Sequence, residues 1–385
     1  MKIEARSGFW RQWPCPVAGE SARFGQMKKC SPLPMLPNSG RKYVIISVAA
    51  SIGRVGRETR SNAAHETERK RMPNPSYRIL IAPACFKGSL SAHQVAAQVH
   101  GFLAERLPEN ILLDCCPVAD GGDDTLAVLQ GADSGFQALE ASVTGPIAGF
   151  KTQAHYLYHA ARKMVVIEAA QAHGLTLLPN GELRPLQATS YGVGELICQA
   201  LQTCDPETLV ITVGGSASTD GGMGALQALG VEFLDKQDRL IQEPLCGGNL
   251  KQVHRVVWPR REMFHGQLLI ATDVVNPLLG KTGAAAVFAP QKGATLKQCT
   301  ELEKGLAHIH RLIVRACGTD CATLPGAGAA GGLAYGLRLL PRSGIVSGSN
   351  WVAGQLGLGR RIEAADLVIT GEGRLDATSF QGKAT

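Results

Sequence analysis

Four carboxylates of this chain stand in or beside glycine-containing loops at the ends of apolar, β-type runs: Asp120 in A-D-G-G, Asp220 in S-T-D-G-G, Asp273 in A-T-D-V-V-N and Glu372 in T-G-E-G-R-L-D. Lys87 in F-K-G-S and Lys292 in Q-K-G-A share that setting. Glycines let a backbone approach a ligand closely, hydroxyls and amides hold the oxygens of an anion, and a helix N-terminus favours negative charge. Carboxylates hold Mg²⁺ through a few bonds, and one placed beside an acceptor hydroxyl takes its proton. The chemistry that needs this mixture is phosphoryl transfer, where catalysis is mostly positioning and charge neutralisation. The pattern does not decide which carboxylate plays which part.

The densest of these stretches is residues 210–230, V-I-T-V-G-G-S-A-S-T-D-G-G-M-G-A-L-Q-A-L-G. A buried β-type run ends in a loop carrying Gly215, Ser216, Ser218, Thr219 and Asp220, and the loop runs into a small-residue helix, the outline of an anion site. Similar transitions bracket it. R-I-L-I-A-P reads as a strand, and S-L-S-A-H-Q opens a helix through a capping box of Ser91 and Gln94. Residues 111–118 read as a second strand, residues 136–169 alternate like strands, and residues 188–203 form a helix headed by Thr189, Ser190 and Gly192. Beyond Leu240 the pattern is irregular until L-L-I-A-T-D. A long helix over 296–317 carries Leu302, Leu306, Ile309 and Ile313 as its apolar stripe, and A-D-L-V-I-T is the last strand. Strands alternating with helices predict an α/β fold with ligands at the carboxyl ends of the strands.

Other classes are set aside on composition. The net charge of +7 lies in the first 71 residues, where 14 Lys/Arg face 5 Asp/Glu, while the remainder has 25 against 27; a nucleic-acid face has no electrostatic support there. No apolar run is long enough for a membrane span, so a soluble, cytoplasmic protein is expected. The 11 cysteines form no C-x-x-C pair and are read as small buried residues of a reducing compartment. Gly280-Lys281-Thr282 resembles the end of a Walker A loop, but Val275 stands where its first glycine belongs. Gly326, Gly328 and Gly331 satisfy G-x-G-x-x-G without the strand that a dinucleotide site requires before it. Residues 1–75 are expected to be a leader or disordered, with the folded protein starting near Met72.

From Arg78 onward the chain resembles the type I glycerate kinase family. The resemblance is carried by I-A-P-x-x-F-K-x-S-L-S-A, P-V-A-D-G-G, A-T-S-Y-G-V-G-E-L-I, V-G-G-S-A-S-T-D-G-G-M-G-A-L-Q-A-L-G, D-V-V-N-P-L-L-G, A-V-F-A-P-Q-K-G-A, P-G-A-G-A-A-G-G-L and I-T-G-E-G-R-L-D. It implies two α/β domains with the active site in a cleft between them. One, with a doubly wound parallel sheet, is expected from residues 76–140 plus 290–385, the other from 141–289. It also implies transfer of the γ-phosphate of ATP, with Mg²⁺, to the 2-hydroxyl of D-glycerate. Carried over by position, the catalytic candidates are Asp120, Asp220, Lys87 and Glu372, with Asp120 or Asp220 as base. Asp273 and Glu372 are the implied Mg²⁺ ligands. Ser89, Gly121, Gly215, Ser216, Asn276, Lys292, Gly328, Arg374 and Asp376 are the implied substrate and ATP contacts. The chain departs from the family at Ala84 and Cys85, where an acid and a serine are usual, at Asp123-Asp124 in place of E-G, and in lacking a section that follows G-K-A-T. These departures set up an alternative expectation, a truncated homologue that binds ligand without turnover.

Overall fold

The computed structural model describes residues 42–47, 77–178, 181–259 and 264–373. In chain order the strands are β1 (Lys42–Ser47), β2 (Tyr77–Pro83), β3 (Ile111–Cys115), β4 (Phe136–Thr144), β5 (Lys151–His159), β6 (Met164–Glu168), β7 (Thr208–Thr212), β8 (Glu232–Leu234), β9 (Arg255–Val257), β10 (Gln267–Ala271), β11 (Ser343–Val346) and β12 (Leu367–Glu372). The helices are α1 (Ala92–Ala104), α2 (Thr125–Ala132), α3 (Ala170–His173), α4 (Tyr191–Cys204), α5 (Met223–Ala228), α6 (Ala284–Phe288), α7 (Leu296–Cys317), α8 (Ala329–Arg338), α9 (Gly348–Gln355) and α10 (Leu358–Ala364).

The described residues form two compact units. The first holds residues up to Pro117 together with those from Leu358 on, and the second holds residues 118–357. This division differs from the expected boundaries at 140 and 290. A break at 140 would cut β4, which pairs with β5 from Phe136↔His159 to Thr144↔Lys151.

The first unit is a parallel sheet in the order β1-β12-β2-β3. Leu80 and Ile81 of β2 are fully buried, as expected for a parallel strand read as a continuous apolar run. The capping box of α1 forms as predicted: Gln94 N donates to Ser91 Oγ at 3.2 Å and Ser91 N donates to Gln94 Oε1 at 2.9 Å. β1 lies within the segment expected to be a leader, yet it pairs in parallel with β12 from Lys42↔Leu367 to Ser47↔Glu372. The rest of that segment lies outside the described residues.

The second unit is built on a six-stranded sheet, β11-β10-β7-β6-β5-β4, parallel from β11 to β6 and antiparallel from β6 to β4. Alternate residues of its central strands face different cores. Val165, Ile167, Leu209 and Ile211 pack with Val193, Leu196 and Ile197 of α4 and Leu333 of α8. Val166 and Val210 pack with Leu126 and Leu129 of α2. Burial of both faces is why V-V-I and L-V-I read as uninterrupted apolar runs. A third core gathers Leu302, Leu306, Ile309 and Ile313, the predicted stripe of α7, against Met223, Leu226, Phe233 and Tyr335. The stretch read as irregular beyond Leu240 includes β9, which pairs with β8 as a small antiparallel ribbon. With three residues each, such strands are too short to show a period.

Candidate active site

In the second unit the loops that follow β6, β7, β10 and β11 leave the sheet on its carboxyl edge, and the A-D-G-G loop before α2 joins them. A Cβ on Gly214 would lie 2.5 Å from the Gly122 Cα, and one on Gly121 would lie 3.0 Å from the Gly348 Cα. Glycine is therefore required where these backbones cross. Asp120 is half-buried, and its Oδ1 accepts from Gly122 N at 3.0 Å. Asp273, at the end of β10, accepts from Ser347 Oγ at 2.7 Å and from Ser349 N at 2.9 Å, which fixes its carboxylate at the start of α9. Asn276 donates through Nδ2 to Thr282 O at 2.8 Å, closing the V-V-N-P loop on itself.

Asp220 has a different setting. It is fully buried and accepts from Ser190 N and Ser190 Oγ at 2.8 Å each, Gly222 N at 3.1 Å, Gly224 N at 3.4 Å and Ser218 Oγ at 3.3 Å. Burial pushes its carboxyl up, and the donors of Ser190, Gly222 and Gly224 oppose that. The anion at this double helix start is thus the chain's own carboxylate, set between the first turns of α4 and α5. The same contact places the start of α4 at Tyr191 rather than at 188, because Ser190 turns out of the helix toward Asp220.

Lys292 is buried too, and its Nζ donates to Ser216 Oγ at 2.9 Å and to Ser218 O. Burial brings the ammonium down to about 7, with Asp220 pulling the other way. His173, fully buried at the end of α3, meets Ser218 Oγ through Nδ1 at 3.2 Å. Since Ser218 donates its own proton to Asp220, Nδ1 carries the imidazole proton. Burial first, and Lys292 second, bring His173 down to about 3, so it is neutral.

Glu168, at the end of β6, was missed by sequence reasoning, although V-V-I-E repeats the strand-end carboxylate pattern. It accepts from Leu126 N at 3.4 Å, and burial, reinforced by Asp123 and Asp124, raises it to about 7. His173 had no local signal, being a single histidine in a four-residue helix. Ser347 and Ser349, the partners of Asp273, were missed for the same reason.

The glycine-rich stretch before β11 is a packing element. Gly328 N donates to Asn276 O at 2.8 Å, and a Cβ there would sit 2.2 Å from Pro277 O. Gly331 adopts φ +68°, its carbonyl accepts from Gly221 N at 3.0 Å, and a Cβ on it would lie 2.1 Å from Ser218 O. The G-x-G-x-x-G spacing thus serves contact with the loops after β7 and β10. Gly215, exposed at φ +70°, has Asp123 Oδ1 2.5 Å from its would-be Cβ position.

In the first unit, Lys87 and Ser89 are exposed in the turn between β2 and α1, and Ser89 N donates to Phe86 O at 2.8 Å. Buried Glu372 ends β12, and a Cβ on the following Gly373 would lie 3.5 Å from Lys87 N, so both loops share that sheet's carboxyl edge. Arg374 and Asp376 lie outside the described residues. The candidate residues therefore form two groups, one on each unit.

Comparison with known proteins decides the family. The glycerate kinase family model matches residues 79–385. A glycerate kinase of Haemophilus influenzae is 40% identical over 310 residues, 80% of each chain. The chain belongs to the glycerate kinase family. Another member, the glycerate 2-kinase of Escherichia coli, is 39% identical over 80% of this chain and 79% of its own. The crystal structure of a putative glycerate kinase 2 from Salmonella typhimurium matches with a TM-score of 0.67 at 36% identity, covering 79% of this chain and 80% of that one. As a glycerate kinase family protein the chain is a kinase with small-molecule substrates. No helix among its described residues is long and apolar enough to cross a membrane.

Proposed function

We propose that this protein transfers the γ-phosphoryl group of ATP to the 2-hydroxyl of D-glycerate, releasing ADP and 2-phospho-D-glycerate. The observation that carries the reading is the convergence of Asp120 and Asp273 on one sheet edge of the second unit, on loops held by glycine-to-glycine crossings. Membership of the glycerate kinase family supports the substrate.

Asp120 is the base in this reading. Asp220 is fully buried, with donors on both of its oxygens, whereas Asp120 remains half-buried. Asp120 would take the acceptor hydroxyl's proton as the oxygen attacks phosphorus. Among the described residues no three His, Cys, Asp or Glu side chains are grouped to hold a metal ion. Magnesium brought on nucleotide phosphates asks for only one or two carboxylates, and Asp273, oriented by Ser347 and Ser349, fits that demand. Bound there, Mg²⁺ would neutralise phosphate charge. Lys87, Ser89 and Glu372 form a separate group on the first unit, and their roles, like those of Arg374 and Asp376, rest on the family resemblance alone. Asn276 and Gly328 act through the shape of the loops, and Lys292 bonds to the Ser216 hydroxyl and the Ser218 carbonyl.

A coupled assay of ADP release with D-glycerate and Mg-ATP tests the reading. D-glycerate-dependent turnover is expected, and Asp120→Asn should lower kcat about 100-fold or more with the fold intact. An unchanged rate in that variant removes Asp120 as base. Calorimetric binding of glycerate or ATP with no ADP release would leave the ligand-binding alternative in place of the enzyme.

A further inference from the structure

The contact between Lys292 and Ser216 has the arrangement of an activated nucleophile. Lys292 Nζ is 2.9 Å from Ser216 Oγ, and the amine is oriented by a second bond to the Ser218 carbonyl. A serine within hydrogen-bond reach of a base, with that base fixed by a third group, is the common geometry of nucleophilic serines, and lysine serves as the base in one variant. The neighbours suit that role. Burial lowers the amine to about 7, so near neutral pH a fraction of it is unprotonated and has a lone pair for the serine proton. Asp220 lies near enough to favour the lysinium once it forms. His173, the other titratable group facing the amine, stays neutral and does not compete for the proton. Ser216 is 6% exposed, and the residue before it, Gly215 at φ +70°, is exposed.

We propose that Ser216 is a nucleophile with Lys292 as its base, and that it accepts a phosphoryl group from a nucleoside triphosphate to give a phosphoserine. Ser216 Oγ forms the new bond to the γ-phosphorus. The bond from that phosphorus to the β,γ-bridging oxygen breaks, the nucleoside diphosphate leaves with the electron pair, and the hydroxyl proton passes to Lys292 Nζ. The identity of the donor rests on the nucleotide reading above; the nucleophilicity of Ser216 does not.

The test has two arms on the full chain. In the first, a fluorophosphonate probe is applied without nucleotide and adducts are mapped by mass spectrometry: Ser216 Oγ bonds to phosphorus, fluoride leaves, and Lys292 takes the proton. Labelling of Ser216 is expected, with a rate about tenfold or more lower in Lys292→Met. In the second, the protein is incubated with γ-³²P-ATP and Mg²⁺, and acid-stable label is expected on Ser216 and absent from Ser216→Ala. An unlabelled Ser216 in the first arm overturns the nucleophile, and equal labelling of a folded Lys292→Met overturns the base. Label from the probe without phosphoserine overturns the phosphoryl acceptor. The mapping on the unaltered chain stands even where Lys292→Met fails to fold. Glycerate-dependent ADP release from the same preparation reports separately on the proposed kinase reaction.

Discussion

Asp220 changes most between sequence and structure. Read along the chain, it is a catalytic candidate in an anion-binding loop; in the fold it is the anion. Asp220→Asn places an amide NH₂ among the N–H donors of Ser190, Gly222 and Gly224, leaving buried donors unpaired. The expected loss is about 2–4 kcal/mol of stability together with turnover, measured by urea unfolding beside the ADP-release assay. Glu168 yields a pH prediction. Its carboxyl is raised from 4.5 to about 7 in the folded chain, so the native state binds the extra proton between those values. The contribution is complete below pH 4.5 and is lost as pH rises through about 7. At most about 3 kcal/mol is involved. Glu168→Gln keeps an acceptor for Leu126 N but does not titrate, so its urea midpoint should fall less than that of the parent across this window.

At the level of elements, local signals hold where the partner lies within the same segment. The Ser91–Gln94 capping box and the stripe of α7 concern residues a few positions apart, and both are present. The glycine motif before β11 depends on contacts elsewhere. Its spacing reports that the backbone must come close to something, and the fold supplies Ser218 and Pro277 rather than a dinucleotide. Gly331→Ala combines a left-handed backbone with a methyl group 2.1 Å from Ser218 O. A loss of about 3 kcal/mol or more is expected in thermal or urea unfolding, with lowered kcat because the Ser216–Asp220 loop moves. Leu306→Ala, in the fully buried stripe of α7, should cost about 2–5 kcal/mol with little change in KM for a folded enzyme.

For the whole molecule, the family match starts at residue 79, yet a strand from residues 42–47 extends the sheet of the first unit beside β12. Removing residues 1–74 would free that edge of β12. The amides of β12 that face β1 should then exchange with deuterium about tenfold faster or more, while those of the six-stranded sheet keep their protection. Unchanged exchange in β12 would mean that β1 adds nothing to the edge. The division of the chain between units also follows from pairing. Periodicity shows that residues 136–144 form a strand, but only the nine-residue ladder with β5 assigns that strand to the second unit.

The sequence by itself determined the α/β class, most of the strands and helices, and the family. The class and the elements depend on backbone propensity and hydrophobic period, and the family on continuous motif strings, all of which are read over neighbouring residues. Only the tertiary structure decided which way the polar side chains face. Asp220 meets Ser190 across 30 positions and Lys292 meets Ser216 across 76, so no local spacing encodes either bond. The loop of residues 210–230 therefore reads as an open anion site in sequence, and in the fold it is a closed polar network in which Ser216 is held by Lys292. The physical reason is that burial, not residue type, decides whether a charged group faces a ligand or its own chain.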